Sequence, residues 1–188
     1  MSSVTHPQPM SSISTGRLAL FVTLGTESVF FATLLVAYAA LRGQVNWDIP
    51  HTLSRLTIPL VNTGILLISA MMVWWSSRAI RRGQASSLRS GLLVSVLLGL
   101  CFVAGQIIEF NQAGLRIDDQ AFGGVFFTLI GFHALHMLAG VFFLGLNLVR
   151  ANLGDFSVDR HEAVELGSGF WYYVTAVWVV LFLALYIL

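Results

Sequence analysis

Five long apolar runs, separated by short polar segments, dominate the pattern of hydrophobic and polar positions along the chain. Each run holds at least 20 residues, which is enough for a helix rising about 1.5 Å per residue to cross a hydrocarbon layer about 30 Å thick. The runs are continuous and do not alternate, so they predict helices rather than the strands of a membrane barrel. We expect an all-α, polytopic membrane protein with five transmembrane helices at residues 18–41, 58–77, 91–110, 122–149 and 169–188.

The composition agrees with a membrane protein whose loops are small. Hydrophobic residues make up 56% of the chain and charged residues 10%, against roughly 25% charged residues in soluble domains. The net charge of +1 offers no basic surface for nucleic acid. Cys101 is the single cysteine, which excludes an intrachain disulfide and any cysteine metal cluster. Trp74, Trp75 and Trp171 stand near the ends of runs, as expected of an aromatic belt at the membrane surface.

The start of the chain differs from the rest. The first 16 residues are rich in Ser, Thr and Pro and contain no apolar stretch. They do not have the pattern of a signal peptide. We therefore expect residues 1–16 to form a disordered tail and residues 17–188 to form one transmembrane domain of five helices.

Arginine is distributed unevenly between the connections, and arginine-rich short loops tend to stay in the cytoplasm. The N-terminal tail and the second and fourth connections hold seven arginines, whereas the first and third connections hold three. The count predicts a cytoplasmic N-terminus and, after five crossings, a C-terminus outside. The seven are Arg17, Arg78, Arg81, Arg82, Arg89, Arg150 and Arg160, and the three are Arg42, Arg55 and Arg116.

Glu27 is the clearest ionisable group inside an apolar run, ten residues from its start. A carboxyl group in hydrocarbon costs free energy, so it needs a partner or a function. The small neighbours Gly25, Ser28 and Ala32 allow another helix to approach closely. Two interpretations stay open: a proton-exchanging or lipid-facing carboxyl, or a protonated glutamic acid that bonds between helices.

Other polar residues lie nearer the ends of the runs. Interhelical hydrogen bonds or contact with lipid headgroups account for Asn62, Gln106, Glu109 and Asn147. Arg150 closes the fourth run, where its side chain can reach a lipid phosphate as well as set the topology.

His133 and His136 are three residues apart and share a face of the fourth run. A metal site needs more ligands than two, and a haem held between helices needs histidines on two different runs. The other histidines lie in tails or loops, so we expect hydrogen bonds from this pair to neighbouring helices or lipid.

The chain also has no phosphate-binding, zinc-protease or serine-hydrolase motif. The residues alone therefore indicate an accessory membrane subunit with no catalytic residues and no metal.

Five segments together resemble subunit III of the haem–copper oxidases, the cytochrome c and quinol oxidase superfamily. They read ESVFF at 27–31, PLVNTGILL at 59–67, QIIEF at 106–110 and FFTLIGFHALHMLAG at 126–140, and the fifth runs from Glu165 through Trp171 and Trp178 to Tyr186. The resemblance covers about residues 17–188. It implies the shorter, five-helix form of this family.

The resemblance also implies a role. Family members bind no haem or copper; they pack beside catalytic subunit I, stabilise it during turnover, support proton uptake and hold phospholipids. By position, Glu27 matches the family's membrane carboxyl and Arg150 matches a lipid-binding arginine. The remaining motif positions imply mostly structural roles, and they are Asn62, Gln106, Glu109, His133, His136, Glu165, Trp171 and Trp178. We expect subunit II and small subunits in the same complex, and haem and copper in the partner subunits. We expect the complex to lie in a bacterial cytoplasmic (inner) membrane.

One departure from the family pattern stands in the last run. Tyr172 and Thr175 replace a His and an Asp that usually precede the final Trp, here Trp178. The role that those two groups have in other members is therefore open here. A cytochrome c oxidase is the favoured interpretation. The alternatives are a quinol oxidase subunit III, an accessory protein of nitric oxide reductase and an independent proton-coupled carrier that uses Glu27.

Overall fold

The computed structural model describes residues 14–42, 57–112 and 120–187. Within these ranges the chain is helical, with no strand, and it contains five helices long and apolar enough to cross a membrane. This confirms the all-α class and the five predicted spans. The predicted tail lies almost entirely outside the described residues. The helices are α1 (Thr15–Arg42), α2 (Thr57–Arg81), α3 (Ala85–Gln112), α4 (Gln120–Asn152) and α5 (Glu162–Phe182), and α5 continues into the π-helical turn Leu183–Ile187.

The helices extend beyond the apolar runs that predict them. The largest difference is at α5, which begins at Glu162, seven residues before the run at 169–188. Hydropathy marks only the part of a helix that is surrounded by apolar material, whereas the backbone hydrogen bonds continue through polar turns. In α5 those turns carry Glu162 and Glu165, whose negative charge is favourable near a helix N-terminus.

A tight turn joins α2 to α3. Gly83 has a φ of 74°, a left-handed conformation that favours glycine. Its N–H donates to Ile80 O at 2.9 Å, and the N–H of Gln84 donates to Ala79 O at 3.0 Å. These two bonds cap the end of α2 in the Schellman arrangement, so α3 turns back directly along α2.

Small and hydroxyl-bearing residues bring α2 and α3 close together. The hydroxyl of Ser69 donates to Ser95 O at 3.1 Å, and the hydroxyl of Ser95 lies 3.3 Å from Ser69 O. Gly91 leaves room for Ser76, because a Cβ at position 91 would lie 2.0 Å from Ser76 Oγ. Such contacts are the usual basis of helix association in lipid, where burial of apolar surface gives little driving force.

Side-chain contacts define one end of the bundle, which we call the arginine-rich end. Arg17 of α1 and Arg81 of α2 both donate to Glu165 of α5, at 2.9 and 2.8 Å. Arg89 Nε of α3 donates to Ala151 O of α4 at 3.0 Å. The other end is called the opposite end below. Seven arginines lie in the helix ends and connections at the arginine-rich end: Arg17, Arg78, Arg81, Arg82, Arg89, Arg150 and Arg160.

The core of the bundle is built on α5. Trp171 and Trp178 are fully buried. The ring of Trp171 lies over two glycines, since a Cβ at Gly99 or Gly140 would come within 2.7 Å of it. The prediction that Trp171 belongs to a surface aromatic belt is therefore wrong: two glycine gaps in α3 and α4 let it pack inside the bundle. Trp74 and Trp75 are exposed, as that prediction requires.

Candidate functional site

The candidate site is a contact between α1 and α4. Oε2 of Glu27 lies 2.9 Å from Nε2 of His136. The two side chains are 29% and 16% exposed, respectively. Glu27 therefore has a partner, and His136 supplies the interhelical hydrogen bond that the sequence predicted for the histidine pair. The structure thus assembles two of the predicted site residues from positions 109 residues apart.

The second ring nitrogen of His136 fixes where protons can lie. Nδ1 is 2.7 Å from the carbonyl oxygen of Phe132, which can only accept, so Nδ1 carries a hydrogen. The contact between Nε2 and Glu27 Oε2 then contains one proton, either on the carboxyl or on the ring. Both arrangements have no net charge, which is the condition that hydrocarbon favours. Transfer of that proton from the carboxyl to the ring converts a neutral pair into a carboxylate–imidazolium ion pair, while the net charge of the contact stays zero.

Residues of α1 and α5 surround this pair. The ring of Phe31 packs edge-on to His136, with 5.2 Å between ring centroids. Next to Glu27, the Ser28 hydroxyl donates to Leu24 O at 2.7 Å and lies 3.3 Å from the hydroxyl of Tyr173. No pattern in the sequence indicates Tyr173, because its approach depends on how α5 is rotated against α1.

His133 has different surroundings from His136. Its side chain is fully buried and stacks on Trp178 with 5.2 Å between ring centroids. The ring of Phe102 meets it edge-on at 6.1 Å. Neither ring nitrogen has a hydrogen-bond partner among the described residues. Of the two histidines expected to hydrogen-bond to neighbouring helices or lipid, only His136 does so among the described residues. Aromatic rings surround His133 and occupy the space that a polar partner would need.

A buried polar cluster lies at the opposite end. Gln106 Nε2 donates to Glu109 Oε2 at 3.0 Å, and the hydroxyl of Tyr186 donates to Glu109 Oε1. The bond from Tyr186 joins α3 to the π-helical turn after α5, so Glu109 does make an interhelical hydrogen bond. Asn62 is also buried here, and Gly105 leaves the space for it.

The predicted motif residue Glu165 lies at the centre of the charged contacts of the arginine-rich end. Besides Arg17 and Arg81, it contacts His161 Nε2 at 3.2 Å. Glu162 bonds to the hydroxyl of Ser14 and lies 4.0 Å from Arg17. These contacts join the ends of three helices, α1, α2 and α5. Five alternating crossings place these helix ends on one side, but the arginine pattern contains no signal for the acidic partner of each arginine.

A groove of about 500 Å³ opens between α1, α4 and α5 at the arginine-rich end. Its wall is mostly apolar, with Thr23 and Asn147 among the polar exceptions. Asn147 Nδ2 donates to Ala163 O at 3.0 Å, which confirms the interhelical bond expected of it. The wall consists of Gly16, Ala19, Leu20, Thr23, Phe143, Leu146, Asn147, Arg150, Ala163, Leu166, Gly167 and Phe170.

Arg150 stands where this groove meets a second, polar cavity of about 500 Å³, because it lines both. Its Nε lies 3.3 Å from Asp155 Oδ2, and its guanidinium lies over the ring of Phe156 at 5.0 Å. Asp159 and Arg160 also line the polar cavity. The arrangement places an apolar space directly beside a charged one.

The hydroxyl groups of the two unusual residues of α5 both have partners, one on α2 and one within α5. The hydroxyl of Tyr172 shares a hydrogen bond with Ser77 of α2, and Ser77 Oγ lies 2.7 Å from Ser168 Oγ. Thr175 donates to the carbonyl of Trp171 at 2.9 Å. The hydroxyl groups at 172 and 175 thus make uncharged hydrogen bonds to α2 and to the backbone of α5.

Comparison with known proteins gives a consistent family. A family model described as cytochrome c oxidase subunit III matches residues 10–188. Cytochrome c oxidase subunit 3 of Thermostichus vulcanus is 31% identical, with 91% of this chain aligned to 86% of that relative. The protein of the same name from Latimeria chalumnae is 36% identical over 96% of this chain and 72% of the relative. For the relatives from Ornithorhynchus anatinus and Danio rerio, the chain spans about half of their length.

Proposed function

Because the chain belongs to the cytochrome c oxidase subunit III family, we propose that it is the non-catalytic subunit III of a proton-pumping haem–copper terminal oxidase, which reduces O2 to water. The family match over residues 10–188 is the observation that carries this proposal. The chain packs directly against subunit I, in a complex with subunit II and small subunits. Haem and copper belong to those partners, and the complex lies in a bacterial cytoplasmic (inner) membrane.

The positions of the membrane histidines support a non-catalytic role for this chain. His133 and His136 are both on α4, whereas a haem held between helices needs a histidine from each of two helices. Aromatic rings enclose His133, and His136 is engaged by Glu27. The described part of the chain therefore does not fit a two-helix haem site, and no step of the reaction is assigned to its own side chains.

The proposed orientation places the arginine-rich end in the cytoplasm. Seven arginines in the elements of one end of the bundle support this assignment, because positively charged short loops tend not to cross the membrane. The N-terminus then lies in the cytoplasm and the end of α5 outside. Glu27 and His136 lie near the middle of α1 and α4, so they are within the membrane in this orientation.

The proposed role in proton uptake rests on the Glu27–His136 contact. The contact holds one proton between two groups that can both bind it. Both side chains are partly exposed at the surface of the bundle, where a neighbouring subunit can contact them and exchange a proton with the pair. In this role, Glu27 holds a proton near subunit I without leaving a net charge in the membrane.

The proposed lipid role rests on the groove at Arg150. An acyl chain fits the apolar wall between α1, α4 and α5, and a phosphate can accept hydrogen bonds from the Arg150 guanidinium at the top of that groove. Asp155, Asp159 and Arg160 in the adjacent cavity provide charges of both signs. A zwitterionic phospholipid headgroup is compatible with this wall. A bound lipid would then stabilise α1, the least buried of the five helices.

Purification of the chain from its native membrane tests the proposal. The chain should co-purify with a large multi-span subunit that contains haem and copper, and should contribute no chromophore itself. Non-haem iron in place of copper in that subunit would instead favour nitric oxide reductase. A free chain with its own haem spectrum, or proton transport by the isolated chain in liposomes that Glu27→Gln abolishes, would contradict a subunit III role.

A further inference from the structure

Two buried amide side chains at the opposite end each have an atom without a hydrogen-bond partner. Asn62 of α2 is 3% exposed and Gln106 of α3 is 1% exposed. Asn62 Nδ2 and Gln106 Oε1 have no partner among the described residues. Almost all buried polar atoms in proteins are hydrogen-bonded, either to protein or to bound water, so these two atoms need an explanation.

The two amides lie on adjoining surfaces of α2 and α3. A Cβ at Gly105 would lie 2.2 Å from Asn62 Oδ1 and 2.6 Å from its Nδ2, so the Asn62 amide rests against the α3 backbone directly before Gln106. Glycine at 105 is required for this approach, because any larger residue would displace the amide. An unpaired donor of α2 and an unpaired acceptor of α3 therefore belong to residues of one contact between these helices.

The chemistry of these atoms selects the ligand. Nδ2 of Asn62 needs an acceptor, whereas Oε1 of Gln106 needs a donor. A cation would satisfy only the oxygen and an anion only the N–H group, but one water molecule satisfies both. We propose that Asn62 and Gln106 bind an ordered internal water molecule between α2 and α3. Buried waters of this kind bridge polar groups that protein atoms leave unpaired.

This water completes a polar chain across three helices. Gln106 Nε2 already donates to Glu109, and Glu109 accepts from Tyr186 in the π-helical turn after α5. The water extends the chain from Gln106 to Asn62 of α2. Hydrogen bonds then join α2, α3 and α5 at the opposite end of the bundle. The charged contacts of Glu165 join helices in the same way at the arginine-rich end. This inference does not depend on the role proposed for Glu27 or for lipid.

A cryo-electron microscopy map of the complete complex, at a resolution that shows buried waters, tests the proposal directly. The expected result is a density peak about 3 Å from both Asn62 Nδ2 and Gln106 Oε1. A map that shows other buried waters but none here would overturn the proposal. A direct bond between the two amides in that map would also overturn it.

Matched leucine variants test what the water does. Asn62→Leu removes the donor, so the peak should disappear and the chain should dissociate from the complex at a temperature lower by about 2–4 °C. Asn152→Leu makes the same change at an exposed asparagine of α4 and should leave both the peak and this temperature unchanged. A retained peak in Asn62→Leu, or equal shifts in the two variants, would contradict the proposal. If Asn62→Leu does not assemble, the map of the unaltered complex still decides.

Discussion

The carboxyl of Glu27 and the imidazole of His136 lie 2.9 Å apart and share a single proton across the interface of α1 and α4. The carbonyl of Phe132 fixes a hydrogen on the far ring nitrogen, so the pair has no net charge whichever member holds the shared proton. This contact leads to separate predictions for the chemistry of the pair and for the packing of α1.

Replacing Glu27 with Gln tests the chemical role. The change is nearly isosteric, and the amide N–H₂ of Gln can still donate to His136 Nε2, so the complex should assemble normally. The exchangeable proton is lost, however, and we expect slower turnover-linked proton uptake or a shorter working lifetime of the oxidase. Proton uptake and activity decay of the purified complex give the measurement.

Glu109→Gln is the matched control for that experiment, because it replaces the membrane carboxyl at the opposite end with an amide. It should leave proton uptake and working lifetime unchanged. If Glu27→Gln behaves like Glu109→Gln in both measurements, the contact with His136 is purely structural.

A double-mutant cycle with Glu27→Leu and His136→Leu tests the packing role. Each single change leaves one polar partner unpaired in apolar surroundings, which costs about 1–3 kcal/mol, whereas the double change leaves none. The double variant should therefore be more stable than the sum of the single effects predicts, with a coupling of about 0.5–3 kcal/mol. Thermal dissociation of the chain from the solubilised complex measures it.

The control cycle pairs Glu27→Leu with Asn152→Leu, since Asn152 is exposed at the C-terminal end of α4, away from the contact. Additive effects are expected in this control. Additive effects in the Glu27–His136 cycle as well would show that the contact contributes nothing to stability.

The five helices could be predicted from sequence because apolar length alone determines them, and the alternation of five crossings places the helix ends that carry seven arginines on one side. The partner of Glu27 could not be predicted in this way. His136 lies 109 residues away, and the contact depends on how α1 and α4 are rotated about their axes. Hydropathy does not fix that rotation, because both helices are apolar on most faces.

The burial of Trp171 shows the same limit. Its position near the start of an apolar run favoured the membrane surface, but Gly99 and Gly140 on two other helices create the space that it fills. The polar residues near helix ends were easier to predict, as the bonds of Glu109 and Asn147 show. The sequence could identify their chemistry but not their partners.

Two glycines of α4 should respond in opposite ways to the same substitution. Gly140→Ala places a Cβ 2.7 Å from the ring of Trp171, which is fully buried and cannot move away, so we expect a loss of about 1–3 kcal/mol. A Cβ at Gly131 meets nothing within 4 Å. Gly131→Ala should therefore stabilise the helix by about 0.5–1 kcal/mol. Thermal dissociation of each variant measures the sign, and equal signs would contradict the packing described for Trp171.

Arg150→Ala should release a phospholipid from the groove between α1, α4 and α5. A charge-assisted hydrogen bond contributes about 1.5–3 kcal/mol, so its loss should weaken retention about tenfold or more. Lipid mass spectrometry of the purified complex gives the measurement. The control is Arg82→Ala, which removes a charge at the same end outside the groove and should retain the lipid. If Arg150→Ala retains as much lipid as Arg82→Ala, the groove does not hold a phospholipid through this arginine.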